Sequence, residues 1–157
     1  MKRVIPMLGM AFLLTIPTIL LAQSEVGAWR LDAAKSKYTG ASAPKRLTQT
    51  FQAMNGVVQN HTEGVAGDGS TINFAFSAKE DGTDARIVGK GAWNGADTVA
   101  LKRIDPNTIE ATYKRAGKVA STRRVSISSD RKVMTVAAQG NGSDGKPTNS
   151  QVVYAKE

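Results

Sequence analysis

The chain has 157 residues, 21 Lys and Arg against 13 Asp and Glu for a formal net charge of +8, and no cysteine. Without thiols, disulfide staples, iron–sulfur clusters, cysteine-ligated zinc and thiol catalysis are excluded. The basic balance favours anionic partners such as acidic lipid, polyanionic sugars or fatty carboxylates.

Residues 1–22 open with Lys2 and Arg3, run uncharged to Leu21 and end at Ala22. This is the layout of a secretory signal. Ala22, Gln23 and Ser24 satisfy the small-x-small rule for a cut before Glu25; a cut after Ala22 is the alternative, with the bulkier Leu20 three residues before it. Pro6 and Pro17 break an apolar run already short of the roughly 20 residues of a spanning helix, so processing is expected to leave no transmembrane span. Residues 1–24 are therefore read as a signal peptide and 25–157 as one exported domain, periplasmic or secreted. Export argues against a nucleic-acid partner. The remaining 133 residues suffice for one core in a monomer.

From there, glycine-containing and polar turn clusters recur about every ten residues, with β-branched alternation between them, the habit of an all-β sandwich or barrel. Strands are expected at 26–32, 45–54, 57–66, 71–79, 84–90, 97–104, 108–115, 118–128, 132–139 and 148–156. Asn55-Gly56 signals a two-residue hairpin. The clusters at 67–70, 80–83, 105–107, 116–117 and 129–130 read as turns of other lengths. Residues 33–44 form the one long connector, with room for a helical turn at most. Short connections join antiparallel neighbours. The fold class is therefore all-β: an antiparallel up-and-down meander of about 8–10 strands closing into a barrel, which removes exposed edges. A two-sheet sandwich is the alternative.

Register follows from the turns. A three-residue loop at 105–107 sets Val99 opposite Tyr113, Leu101 opposite Ala111 and Arg103 opposite Ile109. A three-residue loop at 115–117 adds Val119, Arg123, Val125 and Ile127 to the same inward face; a two-residue turn at 116–117 would reverse that phase and send Arg124 inward. Lys102 and Glu110 meet on the outer face. An inward arginine needs a counter-charge, water or a ligand anion, which singles out Arg123 and Arg103.

No catalytic constellation appears, and no enzyme is expected. His61, the only histidine, faces Thr50 on the solvent side, and Phe51 faces Asn60. The acidic residues fall mostly in turns, where they bond local backbone. Residues 141–145 lack the closing glutamate of a calcium loop. No metal or cofactor is expected. Trp93, framed by glycines, is either a rim aromatic at a barrel mouth or a loop anchor on the core.

Gly27-Ala28-Trp29 on the first strand resembles the Gly-x-Trp opening of the calycins, in which the tryptophan plugs one barrel end. Val152-Val153-Tyr154-Ala155-Lys156 is similar to the ending of the intracellular fatty-acid-binding proteins. The chain also resembles a family of exported bacterial proteins of unassigned activity through Gly27–Trp29, residues 34–37 and residues 96–105. The resemblance implies a calycin-like barrel with Gly27 and Trp29 at its closure. Of the fatty-acid-binding carboxylate site it carries over Tyr154 and one of Arg123 and Arg124; Val152 stands where a second arginine would be, and 33–44 is too short for the helical lid. The expected function is binding of a small amphipathic or anionic molecule, lipid-like or fatty-acid-like, inside the barrel. Arg123 would meet the head with Arg103 and Tyr154 in support, and Tyr113, Leu101, Phe74 and Phe76 would form apolar wall, along with Val99 and Ile109. The rival is a packed, ligandless module acting through its basic surface.

Overall fold

The computed structural model describes residues 23–142 and 145–157. The expected signal sequence, apart from Gln23 and Ser24, lies outside them. Ten strands follow in order: β1 Gly27–Thr39, β2 Arg46–Met54, β3 Val57–Val65, β4 Thr71–Lys79, β5 Asp81–Lys90, β6 Thr98–Asp105, β7 Thr108–Arg115, β8 Lys118–Ile127, β9 Val133–Asn141 and β10 Pro147–Lys156. Each pairs antiparallel with the next, and β1 pairs with β10, so the meander closes into a barrel. The sandwich alternative is set aside. Among the described residues the only helical element is one 3₁₀ turn, Trp93–Gly95.

Alternation builds the inner wall. On β2, Leu47, Gln49 and Phe51 are buried between more exposed neighbours; on β4, Ile72, Phe74, Phe76 and Ala78 are. Asn55 and Gly56 both take positive φ (53° and 75°), the conformation a two-residue hairpin with right-handed twist demands. Phe51 sits opposite Asn60 and His61 opposite Thr50, as the sequence predicts. So do Val99 and Tyr113, Leu101 and Ala111, Arg103 and Ile109, and Lys102 and Glu110.

Two departures matter. The connector expected at 33–44 is largely strand: β1 runs on to Thr39 along β10, with a register shift between Asp32 and Lys37. Ser36 stabilises the irregularity, its hydroxyl donating to the Asp32 carbonyl (2.7 Å) and accepting from the Val153 amide (2.9 Å).

The second is the β7–β8 turn. It is a two-residue turn, Ala116 and Gly117 both at positive φ (50° and 76°), with Arg115 opposite Lys118. That turn alone would send Arg123 outward. The phase is restored by a bulge: Lys114 pairs with Val119 and Tyr113 with Ser121, leaving Ala120 as the extra residue. Arg123 therefore faces Ala111 on the inner side. Val119, expected inward, precedes the bulge and is 59% exposed.

Candidate ligand-binding site

One end of the barrel is closed. Gly27 takes φ 131°, and a Cβ there would stand 2.8 Å from Lys156 Cε, so glycine lets the chain pass the last strand. Trp29 is fully buried; its Nε1 donates to the Glu25 carbonyl at 2.7 Å, and Lys156 Nζ lies 5.2 Å from its ring. Beside it the buried Glu25 carboxylate accepts from Arg103 Nη2 at 2.6 Å and Nη1 at 3.2 Å. Arg103 also pairs with Glu80, whose other oxygen accepts from Gln23 Nε2 at 3.1 Å. Ser24 Oγ donates to the Pro106 carbonyl at 3.0 Å.

This corrects the reading of Arg103 as a support for the ligand head. Burial opposes its charge, but the two carboxylates overcome that and hold its pKa above the ordinary value. Its donors are engaged by Glu25 and Glu80, and it lines neither of the cavities around Arg123. Gln23 and Ser24, expected to leave with the signal, are tied into the same closure.

The other end holds Arg123. Its guanidinium carbon lies 4.0 Å from the Trp93 ring centroid and 5.8 Å from that of Tyr113, so the charge rests on aromatic faces. Trp93 is braced edge-on by Phe74 at 5.5 Å. Its 3₁₀ turn is bent by Asn94 at φ 55° and pinned where Asn94 Nδ2 donates to the Asn141 carbonyl. Trp93 is thus both rim aromatic and core anchor.

Above the guanidinium opens a cavity of about 570 Å³, lined among others by Tyr38, Trp93, Ser121, Arg123, Val152 and Tyr154. Four lining atoms are buried without a hydrogen bond of acceptable geometry: Tyr38 Oη, Ser121 Oγ, Arg123 Nε and Tyr154 Oη. Ser36 and Gln49 approach the two phenols without closing one. All four atoms can donate. No acidic side chain lines the cavity among the described residues, while Arg115 adds a second cation.

The titration tendencies agree with a dry, positive pocket. Burial raises the phenol of Tyr113 to about 12, and those of Tyr154 and Tyr38 also rise, with the Arg123 charge opposing the rise in each. Burial pulls the Arg123 guanidinium below its usual value, and only the three tyrosines act against this. Tyrosines are neutral near pH 7. Among the described residues the half-buried charge has no carboxylate partner.

Below Arg123 the barrel is packed. Tyr113, Leu101 and Phe76 meet Phe51, Ile109 and Val136 around a void of about 20 Å³, room for about one water. Phe74 and Val99 lie wholly in the core, and Phe76 meets Tyr113 edge-on at 6.4 Å. This corrects the expectation that Tyr113, Leu101, Phe74 and Phe76 wall a ligand in the interior; they pack on one another instead, as in a small filled barrel. His61 is exposed and hydrogen-bonded to Asn73 at 3.1 Å. Among the described residues, no three His, Asp or Glu side chains gather to hold a metal. Sequence reasoning missed Tyr38 and Ser121 in the mouth. Tyr38 sat in a stretch read as connector, and Ser121, on the expected inward face with Arg123, is a small polar residue that carries no signal of its own.

No family model and no curated protein matches the chain. Solved structures do. A zebrafish ileal bile acid-binding protein complexed with cholic acid is similar at a TM-score of 0.51 and 9% identity, over 85% of this chain and 99% of that one. EF1p2_mFAP2b bound to DFHBI matches at a TM-score of 0.48 and 13% identity, over 87% and 97% of the two chains. At such identity the likeness is one of architecture: the chain shares the closed antiparallel meander barrel of the bile acid-binding protein.

Proposed function

We propose that the protein binds a compact anionic amphiphile in the mouth cavity, with the anionic head on Arg123 and hydrogen bonds from Tyr38, Tyr154 and Ser121. One observation carries this reading: four buried, unpartnered groups able to donate belong to residues around one cavity, and among the described residues the guanidinium there has no carboxylate partner. Buried polar groups are ordinarily satisfied, so three hydroxyls free to donate around a guanidinium suit an oxyanion. The volume lies in the range of small-molecule sites. Because the interior is filled, the apolar part of the ligand lies against Trp93, Leu47 and Val152 at the rim and does not descend as a long tail. Binding is the chemistry this lining supports: among the described residues no carboxylate or histidine lines the cavity. The charge pattern of residues 1–22 supports export to the periplasm or medium, and closure of the sheet, which leaves no free barrel edge, supports a monomer.

A charge-assisted contact in such a site contributes about 1.5–3 kcal/mol. Titration with the compact anion anilinonaphthalene sulfonate tests the reading. Arg123→Met should bind at least tenfold more weakly, and Arg124→Met, at an exposed position, should match the parent. Equal affinity in all three, or no binding by the parent, favours the packed, ligandless module, for which the filled interior speaks.

A further inference from the structure

The closed base of the barrel holds the two bonds at which the signal sequence could be cut. Residues 23–26 form a turn, with the Val26 amide donating to the Gln23 carbonyl at 3.3 Å and Ser24 and Glu25 as its central residues. Both central residues are buried, Ser24 at 2% and Glu25 at 0% exposure. The turn is fastened to distant parts of the chain. Gln23 Nε2 donates to Glu80, Ser24 Oγ to the Pro106 carbonyl, and Arg103 to the Glu25 carboxylate.

A cut before Glu25 severs this turn between its central residues. It discards the bonds to Glu80 and Pro106 and the carbonyl that receives the Val26 amide. It also empties the buried position of Ser24 and sets a charged ammonium on the buried Glu25, where loss of water opposes it. A cut after Ala22 keeps every one of these contacts. The new ammonium then stands on half-buried Gln23, whose side chain already touches Glu80. Charge favours that placement, because the Glu25 and Glu80 carboxylates converge on the single guanidinium of Arg103. Lys156, also at the base, turns its Nζ to the Val26 carbonyl at 2.9 Å.

We infer that the signal sequence is cut between Ala22 and Gln23, an inference that rests on export as proposed above. The exported protein then begins at Gln23 and keeps residues 23–26 as the plug of its base. This reverses the preference of the small-x-small rule, which favours the later bond because bulky Leu20 lies three residues before the earlier one. Ala22 still supplies the small residue directly before the cut. Once the base has closed, the Ser24–Glu25 bond lies inside it and out of a peptidase's reach.

Expression of the full chain in a Gram-negative bacterium, with intact mass of the protein recovered from periplasm and medium, tests this. The main species should begin at Gln23. A main species beginning at Glu25 would overturn the inference and leave export standing, whereas retention of residues 1–22 would overturn both. Ala22→Val adds a second readout without touching the mature domain, since residue 22 is removed by either cut. Valine is a poor residue directly before a cut but is accepted three residues before one. The variant should therefore lose the Gln23 product. An unchanged product in parental yield would overturn the inference, because Ala22 would then not adjoin the cut.

Discussion

Replacing Arg123 by methionine should stabilise the empty protein while weakening its hold on anions. The guanidinium sits on Trp93 with its Nε fully buried and unpartnered, and among the described residues no carboxylate compensates the charge. Exchanging buried charged groups for well-packed apolar side chains of similar volume is often neutral or stabilising by about 1–4 kcal/mol. The lower half of that range applies here, because the head opens onto the mouth cavity and keeps some solvation. Against it stands the lost cation–aromatic contact, about 0.5–2 kcal/mol. The balance is a gain on the order of 1 kcal/mol, or a melting temperature higher by about 3–5 °C for a domain of this size. Urea unfolding and calorimetry without ligand measure it. The same scans with saturating anion should raise the parent's midpoint and leave that of Arg123→Met nearly unmoved, since only a folded state that binds ligand gains from it. A variant less stable than the parent by 1 kcal/mol or more would refute the reasoning, because Arg123 would then be a structural element satisfied by its aromatic neighbours.

Arg103→Met should behave oppositely. It strands the fully buried Glu25 carboxylate at a cost of about 3–5 kcal/mol, read as a lower urea midpoint. At high pH, both states stay protonated at tyrosine below about pH 10. Above it the unfolded chain releases protons that the barrel retains at Tyr113, whose pKa is about 12, and at Tyr154. Stability should therefore be full below pH 10 and fall as pH rises toward 12. Because burial raises all three tyrosines, tyrosinate absorbance should appear together with unfolding; a normal titration near pH 10 in the folded protein would contradict the buried placement. Deleting Ala120 removes the extra residue while leaving Tyr113 opposite Ser121 and Ala111 opposite Arg123. That variant should keep its anion affinity and lie within about 1 kcal/mol of the parent; lost affinity would show that the bulge geometry itself positions Arg123.

Much of the barrel was legible because its turns are local. Asn55-Gly56 and Asp105-Pro106-Asn107 carry their conformations in their own residues, and the register across β2–β3 and β6–β7 follows from them. What could not be read is set by partners far away in the chain. The bulge at Ala120 exists because the two-residue turn at Gly117 and the inward demand of the Arg123 face conflict by one position, and nothing near Ala120 announces it. The extension of β1 to Thr39 depends on β10 offering an edge to a segment rich in Lys, Ser and Ala. Ala22 and Ser24 satisfy the small-x-small processing rule in the sequence, whereas the bonds of Gln23 to Glu80 and of Ser24 to Pro106 span more than fifty positions and leave no local sign. Of the mouth cavity, the sequence points to Arg123 and Tyr154; Arg123 faces inward through the bulge and not through the expected three-residue loop. The packed interior beneath them depends on how side chains from facing strands interlock.

The seam between β1 and β10 has a consequence for the order of events during synthesis. Trp29 pairs with Lys156, almost the whole chain away, and β1 holds seven partners on β10 against four on β2. Until the last strand emerges, β1 is weakly tethered and β9 has a bare edge. Joining ends so far apart carries a large loop-closure entropy that is recovered only when the whole ladder forms. The nascent chain is therefore held open to the end of translation, its final ten residues acting as the latch. Under the export proposed above, which would thread the chain unfolded across a membrane, the connectivity of the barrel would supply that delay.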